Sequence, residues 1–136
     1  MLGYEGSGCA RCALKEALKL CKTLGDRLVI AYAYEPPGRL AGEEFAEHRL
    51  ALREVGERMT AEALERARAE GVEAEVELVD ERPAEGLRQL GFKHDARMIV
   101  VGTQGESPLR SAILGSIPHK LLQVAERPVL VVPPDD

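Results

Sequence analysis

Apolar positions along this chain recur with two alternating spacings, one of about 3.6 residues and one of 2, as expected when helices and strands take turns. A short apolar start, Leu2-Gly3-Tyr4, passes into the turn-forming Glu5-Gly6-Ser7-Gly8. Beyond it Ala13, Leu14, Ala17, Leu18 and Cys21 share one helix face. Arg27 to Tyr34 is a mostly apolar run closed by Glu35-Pro36-Pro37-Gly38, the pattern of a parallel strand covered on both sides. A long charged segment from Gly42 to Glu70 keeps Phe45, Leu52, Val55, Met59 and Ala63 near helical spacing and stops at Gly71, a left-handed helix terminator. Val72, Ala74, Val76 and Leu78 then alternate with Glu73, Glu75 and Glu77, which predicts a half-exposed strand near a sheet edge. Pro83 opens a short helix through Leu87 and Leu90. Arg97 to Val101 reads as a buried strand, Ser116 to Glu126 as a helix, and Pro128 to Val132 as a last strand.

Strands alternating with helices imply parallel pairing through right-handed crossovers, so the expected fold class is α/β with a single doubly wound five-stranded sheet and helices on both faces. No internal repeat or linker divides the 136 residues, and one domain over 1–136 is expected, with Pro133 to Asp136 as a frayed tail. In such sheets ligands bind at the carboxyl ends of the strands where the strand order reverses, which directs attention to the loops after strands one, two and four.

Composition narrows the function classes. Acidic residues outnumber basic ones 23 to 18, for a net charge of -5, and the Lys and Arg are dispersed. With no Trp, three Tyr and two Phe, neither a basic patch nor a stacking platform for nucleic acid is offered. No apolar window reaches the roughly 20 residues of a membrane span. The start shows no basic segment followed by an apolar one, so a cytoplasmic protein is expected.

The candidate chemistry lies mainly after strand four: Gly102-Thr103-Gln104-Gly105, nine residues, then Gly115-Ser116 opening a helix. Glycines let backbone N–H groups approach an anion, and a helix N-terminus adds unpaired donors and the positive end of its dipole. Spacing alone leaves two readings open: an anion cradle in which Ser116 gives its hydroxyl to a phosphate, or an ordinary turn with Ser116 as the helix cap. A phosphate-binding loop of the G-x-x-x-x-G-K-S/T type is absent, and His119 reads as a surface residue of its helix. Cys9-Ala10-Arg11-Cys12 at the start of the first helix is a C-x-x-C, open to reading as a dithiol redox switch or as a chance match, while Cys21 falls on the apolar face and is expected in the core. His48 and His94 lack ligand spacing, so no metal site is expected.

The G-x-x-G, nine residues, G-S spacing between ARMIVVG and ERPVLVVP, together with Leu2-Gly3-Tyr4-Glu5-Gly6-Ser7 at the start, resembles the universal stress protein family over Leu2 to Pro133. The resemblance implies strand order 3-2-1-4-5, an adenine nucleotide alpha-hydrolase-like fold, and membership of the branch that binds ATP, with Mg as an accompanying ion. Carried over by position, Gly102, Gln104, Gly105, Gly115 and Ser116, with Ile117 beside them, would hold phosphates and ribose. Tyr4 and Glu5 would lie against the adenosine half and Ala33 beside the base. Glu5 departs from the Asp usual in the family, and Pro118 stands near where a second hydroxyl is common. The first strand also begins later than is usual, which leaves open a misassigned start or a locally short sheet. The function implied is a nucleotide-dependent stress sensor or regulator with no catalytic residue, at most a slow ATP hydrolase. The competing readings are a nucleotide-free interaction module and the Cys9–Cys12 switch. The wholly apolar strand Val129 to Val132 would be an edge in that order, and an exposed apolar edge invites pairing, so a homodimer through it is expected.

Overall fold

The computed structural model describes residues 1–35, 42–104 and 114–135. The chain runs β1 (Leu2–Gly3), α1 (Gly8–Leu24), β2 (Leu28–Tyr34), α2 (Gly42–Ala69), β3 (Ala74–Asp80), α3 (Pro83–Lys93), β4 (Ile99–Gly102), α4 (Ser116–Val124) and β5 (Val129–Val132). The strands form one parallel sheet in the order β3-β2-β1-β4-β5, with register Leu2↔Ile30, Leu2↔Val100, Leu28↔Ala74 and Ile99↔Val129. The alternation of period 2 with period 3.6 therefore produced the expected architecture, and β3 and β5 are the two edges.

Side chains of a strand point alternately to the two faces, and each face has its own core. Leu2, Tyr4, Leu28, Ile30, Val100 and Val132 pack with Ala10, Leu14, Ala17, Leu18 and Cys21 of α1 and Ala63 and Ala67 of α2. Ala31, Ile99 and Val101 pack on the other face with Ala84, Leu87 and Leu90 of α3 and Leu121 and Ala125 near α4. Helices approach the sheet closely where glycine permits: a Cβ on Gly56 would lie 2.4 Å from the Tyr32 ring, and one on Gly86 2.8 Å from the Ala33 Cβ.

Local sequence sets the helix ends. Ser7 caps α1, its Oγ accepting the Ala10 N–H at 3.1 Å, and Gly25 ends that helix at φ 68°. The end of α2 departs from expectation. Gly71, at φ 76°, donates to the Arg68 carbonyl, and Val72 donates to the Ala67 carbonyl at 2.9 Å. This paired hydrogen-bond pattern draws the buried Val72 into the helix terminator, so β3 begins at Ala74 rather than Val72. On the polar side of β3, Glu77 takes Lys93 Nζ at 2.8 Å and His94 Nε2 at 3.0 Å, tying the strand to the end of α3. The tail also differs: the Asp135 N–H donates to Cys12 Sγ at 3.4 Å and its carboxylate lies 3.9 Å from Lys15 Nζ. Among the described residues no helix is long and apolar enough to cross a membrane.

Candidate functional site

From β1 the chain crosses toward β2 by way of α1, and from β4 it crosses the opposite way toward β5 by way of α4. Right-handed crossovers in opposite directions must lie on opposite faces, so a crevice opens above the carboxyl ends of β1 and β4, where the strand order reverses. A cleft occupies this place. Its floor is Gly3, Ala31 and Ala33, its walls are Pro83 and Leu87 of α3 with Ile117 and Pro118 of α4, and Glu5, Gly102 and Gln104 stand at its rim.

Each part is held by identifiable contacts. The Thr103 N–H donates to Val132 at 3.0 Å, extending the β4–β5 pairing past Gly102, and the Thr103 carbonyl receives the Gly115 N–H at 2.6 Å. The start of α4 is thereby fastened to the end of β4. Gly115, extended at φ −66° and ψ 168°, is the cap residue, and no side chain caps the helix. Ser116 is thus the first helical residue, and the reading of Ser116 as the helix cap is corrected. The cause is the Gly115–Thr103 bond, which fixes the helix start one residue earlier. The first turn carries the N–H groups of Ser116 and Ile117, whereas Pro118 has none; the ladder begins with His119 donating to Gly115 at 3.1 Å.

Gly102 is required by packing rather than by its own dihedral angles. It shares the parity of Val100 and faces α1, and a Cβ there would lie 2.6 Å from the Cys9 Cβ, 2.8 Å from the Cys9 carbonyl carbon and 2.9 Å from its oxygen. A Cβ on Gly115 would meet Thr103 O at 3.2 Å and the Gln104 Cα at 3.3 Å, a tight but not forbidden fit. Gly3 belongs with them, since a Cβ there would come 2.9 Å from Leu87 Cδ1 and fill the cleft floor.

At the rim, the Ser7 hydroxyl donates to Glu5 Oε1 while its oxygen caps α1, so the carboxylate is tied to that helix start. Tyr4 borders the cleft, yet its ring packs in the core beneath α1 and α2. Burial raises the pKa of its phenol above the ordinary value of 10, the Glu62 charge adds to this, and Arg11 opposes it by charge and hydrogen bond. Strand alternation directs its ring to the opposite face from Ala31 and Ala33.

Of the predicted residues, Tyr4, Glu5, Ala33, Gly102, Gln104 and Ile117 line one cleft, Gly115 is bonded to its edge, and Ser116 follows it. Gly105 lies outside the described residues. Sequence reasoning missed Gly3, Ala31, Tyr32, Pro83, Leu87 and Val101. Parity along β1 and β2 could have found the first two. Pro83 and Leu87 arrive through the crossover from β3, which no local signal reveals. A second cleft lies at the opposite end of the sheet, beside Met1, Cys21, Asp26, Arg27 and Arg97, and none of the predicted residues reaches it. Among the described residues no three His, Cys, Asp or Glu side chains gather as a metal site.

Residues 1–133 match the sequence profile of the universal stress protein family. The universal stress protein encoded in the QAH/OAS sulfhydrylase 3′ region of Thermus aquaticus is 37% identical over 134 residues, covering 97% of this chain and 96% of that protein. The structure of the hypothetical protein MJ0577 superimposes with a TM-score of 0.89 at 19% identity, covering 99% of this chain and 95% of that one, and shares the fold. A universal stress protein solved in complex with cAMP is 26% identical, with a TM-score of 0.72 and coverage of 98% and 94%.

Proposed function

The chain belongs to the universal stress protein family, and from that premise we propose that it binds an adenine nucleotide, ATP with Mg, in the cleft above β1 and β4 and acts as a nucleotide-dependent regulator. The observation that carries this reading is the fastening of an α4 start that no side chain caps onto the glycine-bearing end of β4, beside an apolar slot closed by Ala33 and Ile117. An apolar slot suits a base, and the amides of Ser116 and Ile117 with the positive end of the helix dipole suit a phosphate. The described lining contains no Lys or Arg, so phosphate charge would rest on amides and on the accompanying cation. The family relative holding cAMP supports an adenine nucleotide as the ligand class.

Glu5, tied to Ser7, would meet the nucleoside part, and Gln104 at the rim the ribose or phosphates. The role is holding rather than turnover. His119, the imidazole nearest in sequence to the phosphate loop, is exposed on α4. A cytosolic homodimer paired through β5 completes the proposal, because that strand is an apolar edge and its Leu130 is 38% exposed.

Calorimetric titration with ATP and Mg tests the reading directly. Saturable binding is expected, and Gly115→Val should abolish it while the far-UV dichroism stays that of the parent. Its branched side chain would project from a position already 3.2 Å from Thr103 O, narrowing the cradle without a positive φ to strain the backbone. A folded protein that takes up no nucleotide, or a Gly115→Val variant that binds as before, would overturn the assignment.

A further inference from the structure

Outside the cleft's own residues, the C-x-x-C of α1 stands next to it. We infer that Cys9 and Cys12 form a reversible dithiol–disulfide pair whose oxidation alters the nucleotide cleft through Gly102. The second half of this inference rests on the nucleotide reading above.

Both thiols are free and half-buried in the first turns of α1, three residues apart, whereas Cys21 is buried on the core side of the same helix. Cys9 Sγ lies 3.8 Å from the Thr103 hydroxyl, and the Thr103 carbonyl holds the start of α4. Cys9 main chain sits so close under Gly102 that not even a methyl group fits between them. Cys12 Sγ accepts the Asp135 N–H at 3.4 Å from the segment that follows β5. The pair thus touches both the loop after β4, which borders the cleft, and the tail after β5.

Helical positions three apart place their Cβ atoms roughly 5–6 Å apart, while a disulfide requires about 3.5–4.5 Å. Closing the bond therefore shifts the first turn of α1. Cys9 cannot advance toward β4, so the movement draws on the Ser7 corner, whose hydroxyl also holds Glu5. The cleft would feel oxidation at both Gly102 and Glu5.

The oxidant is a low-molecular-weight disulfide such as oxidised glutathione. One protein thiolate attacks it, forming a mixed disulfide and releasing one small thiol. The second protein thiolate then attacks the protein sulfur of that mixed disulfide, forming the Cys9–Cys12 bond and releasing the second small thiol. Two electrons pass from the protein to the small disulfide, and the two protons lost by the protein end on the two released thiols.

The test compares reduced protein with protein treated with oxidised glutathione. The oxidised form is expected to be lighter by two hydrogen atoms, to lose the alkylation of Cys9 and Cys12 reversibly, and to bind ATP with Mg about fivefold more weakly, the worth of one ordinary hydrogen bond. Cys12→Ser should keep the reduced-state affinity and abolish both changes. A glutathione adduct that never resolves to the intramolecular bond would overturn the proposal, as would a disulfide that leaves ATP affinity unchanged. Should the reduced protein bind no ATP, the nucleotide reading fails by itself. The amide exchange rates of Gly102 and Thr103 then decide: a change on oxidation sustains the coupling, and none refutes it.

Discussion

Replacing Gly102 by alanine adds one methyl group where the structure has no room for it. The new Cβ would sit 2.6, 2.8 and 2.9 Å from Cys9 Cβ, carbonyl carbon and carbonyl oxygen, all inside the distance that real Cβ atoms keep. Two of these neighbours are main chain in a helix, so no rotamer change relieves them. Overpacking of this kind costs roughly 1–3 kcal/mol, and the upper part of that range applies because the obstacle is backbone. Against it stands a gain of about 0.4–1 kcal/mol from the narrower unfolded ensemble of alanine, since Gly102 has no positive φ to be strained. The net loss is about 2 kcal/mol, a fall in melting temperature of roughly 6–8 °C for a chain of this size. Gly8→Ala, one residue before Cys9, supplies the control: a Cβ there meets nothing within 4 Å, so the same substitution should be neutral or slightly stabilising. Thermal unfolding followed by dichroism measures both. Equal melting temperatures for the two variants would refute the claim that α1 is packed directly beneath the end of β4.

Two further outcomes test the edge strand and the surface charges. Leu130→Arg, at a position 38% exposed on β5, should convert dimer to monomer in sedimentation velocity, and a persistent dimer would locate the interface elsewhere. The Arg88 guanidinium, hydrogen-bonded to Glu85 at 2.6 Å with Gln89 assisting, holds the Glu85 carboxyl at about 2 rather than 4.5. A depressed carboxylate stabilises the fold fully above its ordinary value and loses that contribution as pH falls through its folded value. The difference in melting temperature between the parent and Glu85→Gln should therefore be constant above about pH 5 and vanish as pH falls from 4.5 toward 2. A gap unchanged across that window would refute the pairing.

Much of this protein was legible without coordinates, because the signals concerned are local. Period 2 against period 3.6 located the strands and helices, Gly71 marked the end of α2 through its positive φ, and the glycines of the loop after β4 marked where backbone approaches closely. Where a local signal had two uses, tertiary contacts chose between them. Val72 alternates like a strand residue but is claimed by the α2 terminator, and Ser116 looks like a cap but follows one, because Gly115 bonds to Thr103. The face to which Tyr4 turns was likewise fixed only when β1 was set between β2 and β4, where parity sends its ring beneath α1 and leaves Ala31 and Ala33 facing the cleft. Least legible was the pairing of Gly102 with Cys9 and of Gly3 with Leu87, contacts between residues more than 80 positions apart. Chain periodicity records which side of an element is apolar. Only the packing of helices against the sheet decides which atoms meet there and how little space is left between them.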